Sequence, residues 1–197
     1  TDHEVVSGKS GQRAAAQIPW LGAGPRPQVK PERLLNEAAG TRDHQGIVAW
    51  CEPYRYADAR ELAAAERPLP VCLDQVTDPH NLGAVVRSAE AAGATGVVLP
   101  AHGSARVAPT VARASAGAVE HVPLAVVPNL ARYLAEIKGP DLWCYAADAE
   151  GELQMWRADL TGGVALVFGA EGKGVRPLVR RTCDALVSIP LAGLVGS

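Results

Sequence analysis

The chain has 197 residues, 48% of them apolar and 20% charged, with a formal net charge of −2. That is enough for one sizeable core, or for one domain with a smaller companion. No apolar run reaches the ~18 residues of a membrane span, and nothing in the global charge announces a nucleic-acid binder, so any RNA contact has to come from a local patch.

The opening TDHEVVSGKS is polar and lacks the basic-then-apolar build of a signal peptide. Residues 11–34 are rich in Gly, Pro and Ala and hold no sustained period of 2 or 3.6. PERLLNEAAG predicts one short helix closed by Gly40, and HQGIVAW, residues 44–50, a strand. Residues 53–70 carry a short helix between Pro53 and the Pro68–Pro70 pair and are expected as a linker. From residue 71 short apolar runs alternate with helical patterns. The runs are 71–73, 96–99, 121–127, 142–146, 164–168 and 186–189; the helices are 82–92, 107–116, 130–138 and 175–182. This alternation predicts an α/β fold, a parallel sheet with helices on both faces. Cys51, Cys72, Cys144 and Cys183 are widely spaced and three lie in apolar runs. Buried, reduced thiols and a cytoplasmic location are expected.

Several chemistries lack their motifs. GAGPRP has Pro27 where GxGxxG needs glycine, GAEGKG lacks the Ser/Thr of a P-loop, and there is no CxxC or HExxH. Neither a metal nor a nicotinamide cofactor is expected. DQVTDPHNLGAVVR, residues 74–87, reads as a strand exit, a turn and a helix start. Asp78-Pro79 initiates the turn, Asn81 is placed as the N-cap, and Gly83 permits close approach. On the residues alone, Asn81 is a cap and Arg87 a surface cation. Lys173, Arg176, Arg180 and Arg181 form a local basic patch, with Arg106 and Arg113 as a looser group.

NLGAVVR, GAEGKG and SIPLAGLVGS stand in the order and spacing of three motifs. With HQGIVA ahead of the linker, they make residues 44–197 resemble the SpoU-like (TrmH-type) branch of the SPOUT RNA methyltransferases. The resemblance implies a C-terminal trefoil-knot domain over 71–197. Ahead of it, over 1–52, it implies a small N-terminal α/β RNA-substrate-binding domain, here expected to be incomplete. The implied reaction is methylation of a ribose 2′-hydroxyl from S-adenosyl-L-methionine. The implied substrate is a guanosine of large-subunit (23S) ribosomal RNA, toward which HQGIVA, VTDPHNLGA and SIPLAG lean. The alternatives are an adenosine 2′-O-methylase conferring antibiotic resistance and a catalytically inactive RNA-binding protein.

Carried over by motif, the catalytic residues are Asn81, Arg87, Glu171 and Ser197, with Glu171 orienting Asn81 or Arg87. Phe168, Gly169, Glu171, Gly172, Ile189 and Leu191 would hold the cofactor. Arg87, Lys173, Arg176 and Arg180 would meet RNA. A guanidinium is a poor base near neutral pH, so Arg87 is expected to clamp a phosphate and stabilise the developing alkoxide. The family implies a homodimer, with no membrane and no metal. The third motif stops at Ser197, ahead of its usual Ser-Leu-Asn-Val-Ser continuation, and is expected to be incomplete.

Overall fold

The computed structural model describes residues 5–7, 28–42, 44–50 and 52–190. The chain divides into two compact units, Thr1–Tyr54 and Arg55–Ser197.

In the first unit, strand β1 (Val5–Ser7) lies between β2 (Gln28–Val29) and β3 (Ile47–Ala49), parallel to the former and antiparallel to the latter. Helix α1 (Glu32–Ala39) buries Leu35 completely and ends at Gly40, whose φ of 63° is the left-handed cap expected of glycine. His44 accepts at Nδ1 from the Gly46 amide, 2.9 Å, so its Nε2 is the donor to Asn36 Oδ1 at 3.1 Å.

The second unit begins inside the span expected as a linker. Helix α2 (Ala59–Ala63), capped by Asp58, buries Ala59 and Leu62 in the main core. Two apolar side chains four residues or fewer apart suffice to dock so short a helix, and residues 55–70 are therefore part of this unit. There follow β4 (Pro70–Asp74), α3 (Pro79–Ala91), β5 (Gly96–Pro100), α4 (Pro109–Ala114), β6 (Leu124–Val127) and α5 (Leu130–Ile137). The chain closes with β7 (Leu142–Ala147), β8 (Leu153–Gln154), β9 (Gly163–Gly169), α6 (Pro177–Thr182) and β10 (Ala185–Ser188). The seven strands make one sheet in the order β6-β5-β4-β9-β7-β10-β8, every neighbouring pair parallel. β8 is two residues long and carries no period to read.

The central strands are buried on both faces, β4 and β5 at every position, and successive side chains point to opposite faces. Cys72, Val98, Cys144, Ala146, Ala165 and Val167 share one core cluster with Leu62, Leu130, Leu134 and Val179 from α2, α5 and α6. Tyr145, Val164 and Val187 face the other side, beneath Leu153 and Met155. Toward β5 that side is taken by α3, with Leu82 and Val86 fully buried, and by α4, with Val111 fully buried.

Gly83 lets α3 and α4 touch. A methyl group there would lie 2.5 Å from Ala114 Cβ and 2.9 Å from the Ser115 amide nitrogen. Gly83→Ala gains about 1 kcal/mol of helix propensity but overpacks by about 1–3 kcal/mol. A lower urea midpoint is expected, and an unchanged or higher one would count against this packing.

Cys72, Cys144 and Cys183 carry no disulfide, the first two being buried. Burial pushes the Cys144 and Cys183 thiols up to about 12, from 9.0, and raises Cys72 as well. The unfolded chain ionises these thiols near pH 9 while the folded chain keeps them protonated. Stability should therefore hold below that pH and fall as pH rises toward 12. Urea midpoints at about pH 8 and about pH 10.5 test this, with the lower value expected at the higher pH.

Candidate active site

The sheet opens a crevice where its connections diverge. From the end of β4 the chain leaves for α3 on one face, and from the end of neighbouring β9 it leaves for α6 on the other. Ligands of open α/β sheets bind outside the carboxyl ends of the strands at such a switch point. Here a cleft of about 700 Å³ is lined by Leu73, Gln75, Val76, Thr77, Asp78, Asn81, Ala84, Val85, Gly103, Phe168, Gly169, Ala170, Glu171 and Lys173.

One wall is the β4–α3 connection. The helix starts at Pro79, and its N-cap is Asp78, whose Oδ1 accepts from the His80 amide at 2.9 Å. Asn81 was expected as the cap and lies instead in the first turn. Asp-Pro outcompetes it because proline's fixed φ suits the first helical position. Freed from capping, the Asn81 side chain crosses the cleft, and its Nδ2 donates to Glu171 Oε1 at 2.9 Å. That bond joins the first and second motifs across 90 residues of sequence. It fixes the amide orientation and leaves Asn81 Oδ1 as an acceptor.

The other wall is the loop after β9. Ala170 and Gly174 form a bridge, and the Gly174 amide donates to Ala170 O at 2.8 Å. Gly172 and Gly174 take φ of 70° and 64°, the left-handed region that disfavours other residues. Glu171 sits exposed at the tip of this turn.

The basic residues divide. Arg176 precedes α6 and is tied to Asp74 at the end of β4. Its amide donates to Oδ2 at 2.8 Å, its Nε to Oδ1 at 2.9 Å, and its Nη2 lies 2.7 Å from Oδ1. Arg180 Nε is 3.3 Å from Asp148 Oδ2, and its Nη2 is 3.6 Å from Glu150 Oε2. Carboxylates of this chain thus already meet both charges. Lys173 lines the cleft. The Arg87 side chain is exposed and makes no hydrogen bond or ion pair among the described residues. It stands about 9 Å along α3 and about 120° around it from Asn81, outside the cleft lining. Ile189 is 54% exposed just past β10 and also outside that lining. Leu191 and Ser197 lie outside the described residues.

Sequence reasoning missed Asp74, Gln75, Thr77 and Gly103. Asp74 was legible as a charge closing the apolar run of β4. Gln75, at a φ of 62°, gave no signal, since nothing in its type announces a left-handed position.

A family model, the SpoU rRNA Methylase family, matches residues 68–197, which include both walls of this cleft. The chain belongs to the SpoU rRNA methylase family. Among curated SpoU relatives, it is 47% identical to the 23S rRNA (guanosine-2′-O-)-methyltransferase RlmB of Ralstonia nicotianae, over 89% of this chain and 72% of that one. It is 41% identical to RlmB of Escherichia coli, over 86% and 72%. Among solved structures, the SpoU methyltransferase AviRb from Streptomyces viridochromogenes, in complex with the cofactor AdoMet, matches with a TM-score of 0.79 at 26% identity. That match covers 98% of this chain and 76% of AviRb. The seven-stranded parallel sheet is thus the SpoU fold. Among the described residues, no group of three His, Cys, Asp or Glu is arranged to hold a metal, and no helix is long and apolar enough to cross a membrane.

Proposed function

We propose that the protein methylates the ribose 2′-hydroxyl of a guanosine in 23S ribosomal RNA, using S-adenosyl-L-methionine. The observation that carries this reading is the Asn81–Glu171 bond across the switch-point cleft, in a chain of this family. The relatives named for that reaction supply the substrate class.

The residues present fit the cofactor. A cleft of about 700 Å³ is within the range of pockets that enclose such ligands, roughly 300–1,000 Å³. Phe168 and Leu73 give it apolar walls, and a methyl group at Gly172 would meet open space, so the turn admits close approach. Phe168, Gly169, Glu171 and Gly172, with Ile189 and Leu191, would hold the cofactor. When bound it supplies an electrophilic sulfonium methyl group. Asn81 Oδ1 accepts the hydrogen bond of a ribose hydroxyl and aligns its oxygen, with Glu171 keeping the amide from turning. Lys173 draws the RNA backbone toward the cleft. The hydroxyl proton leaves to solvent as the oxygen–carbon bond forms and the sulfur–carbon bond breaks.

Arg87 completes the site from a second copy of the chain. Its place outside its own cleft supports a homodimer in which it clamps the phosphate beside the target ribose. Sedimentation showing only monomer at micromolar concentration would weigh against this. The trefoil knot, a role for residues 1–52 in reading folded RNA, and a cytoplasmic location belong to the same proposal. The insertion of β9 between β4 and β7 supports the first of these.

Methyl transfer to 23S RNA tests the reading. Asn81→Ala and Glu171→Gln should each lower kcat by roughly 10²-fold. Wild-type rates in both would sink it.

A further inference from the structure

Asp74 is fully buried, yet it is a carboxylate at the rim of the cleft, one residue before Gln75 and paired in register with Gly169. Among the described residues its carboxylate is met by donors from Arg176: one backbone amide and two guanidinium nitrogens, at 2.7–2.9 Å. A buried ion pair is weak evidence for stability, because apolar residues of the same volume often serve as well. What three donors from one residue supply is orientation. Arg176 is the residue at which the turn after β9 hands over to α6. Fixing it on β4 fixes where the 170–174 turn stands against α3.

We propose that Asp74 and Arg176 are positioning residues that set the 170–174 turn so that Glu171 meets Asn81; this rests on the functional reading above. The turn is then held at three points. Its own Ala170–Gly174 bridge closes the base, Arg176–Asp74 holds it from behind, and Glu171–Asn81 holds its tip. Arg180, on Asp148 and Glu150, keeps α6 from swinging away on the β7 side. Two of the three arginines of the basic patch, Arg176 and Arg180, thus act inside the fold, and Arg176 influences the chemistry only through Glu171.

The test uses the full chain and two variants, Arg176→Ala and Arg176→Lys, each first shown folded by circular dichroism. Hydrogen exchange, without cofactor or RNA, follows the Lys173 and Gly174 amides, both of which donate to Ala170 O. Both variants keep the backbone donor; Arg176→Ala should lose protection there by about tenfold, and Arg176→Lys, which also keeps a side-chain charge for Asp74, should recover part of it. Unchanged protection in folded Arg176→Ala overturns the proposal. Kinetics supply the second readout. Arg176→Ala should lower kcat by about tenfold, but by less than about twofold once Glu171→Gln is present, because the two act as one unit. Effects that simply multiply overturn the claim that Arg176 works through Glu171. A wild-type chain that transfers no methyl refutes the functional reading, while the exchange measurement still decides the clamp.

Discussion

Gly169→Ala should abolish cofactor binding and lower the thermal midpoint by roughly 6–12 °C, the equivalent of about 3 kcal/mol in a chain of this size. The reason is local. A methyl group at Gly169 would sit 1.9 Å from the Gly174 carbonyl carbon, 2.1 Å from its oxygen and 2.3 Å from the Val175 nitrogen. All three are backbone atoms, so no side chain can swing aside. Relief requires opening the Ala170–Gly174 bridge, which displaces Glu171 and the cofactor-facing wall together. Calorimetric titration with S-adenosyl-L-methionine and a thermal melt check both halves. A variant with wild-type affinity and midpoint would show that the loop does not double back as described.

Arg87→Ala should lower methyl transfer by roughly 10²- to 10³-fold, the usual loss when one donor to a developing oxyanion is removed. Arg87→Lys should keep part of the rate, since a phosphate clamp needs a charge and lysine retains it while losing the bidentate fork. Total loss in Arg87→Lys, with cofactor and RNA affinities unchanged, would contradict the clamp. The homodimer adds a sharper expectation. Mixed Arg87→Ala and Glu171→Ala chains should recover about a quarter of wild-type activity, because half the dimers are mixed and each of those holds one intact site. No recovery, with subunit exchange demonstrated, would place Arg87 in its own chain's site.

The sequence made the parallel sheet legible because strands buried on both faces read as unbroken apolar runs, and 96–99 and 164–168 fall within β5 and β9. It misplaced the start of α3 by three residues, since Asp78 and Asn81 are both good caps and only the proline between them decides. The strand order was out of reach. Nothing in the spacing of apolar runs says that β9 returns between β4 and β7, and that return creates the cleft. The basic patch shows the limit most plainly. Arg176 and Arg180 look like exposed charge in one dimension, but their partners, Asp74 and Asp148, stand 102 and 32 residues away along the chain. Long-range ion pairs leave no periodic trace. The family resemblance offered Glu171 as a partner of Asn81 or Arg87, and the fold selects Asn81; on the residues alone each has an ordinary reading, as a cap and as a turn residue. Their meeting is a property of the fold.

The most direct test is where a labelled methyl group goes. The protein is incubated with labelled S-adenosyl-L-methionine and unmodified 23S ribosomal RNA, and the RNA is then hydrolysed in alkali. A 2′-O-methyl group blocks cleavage at its own linkage, so the label should appear in an alkali-resistant dinucleotide whose methylated residue is guanosine. Label confined to alkali-labile mononucleotides, or RNA that takes up none, would contradict ribose methylation by this cleft.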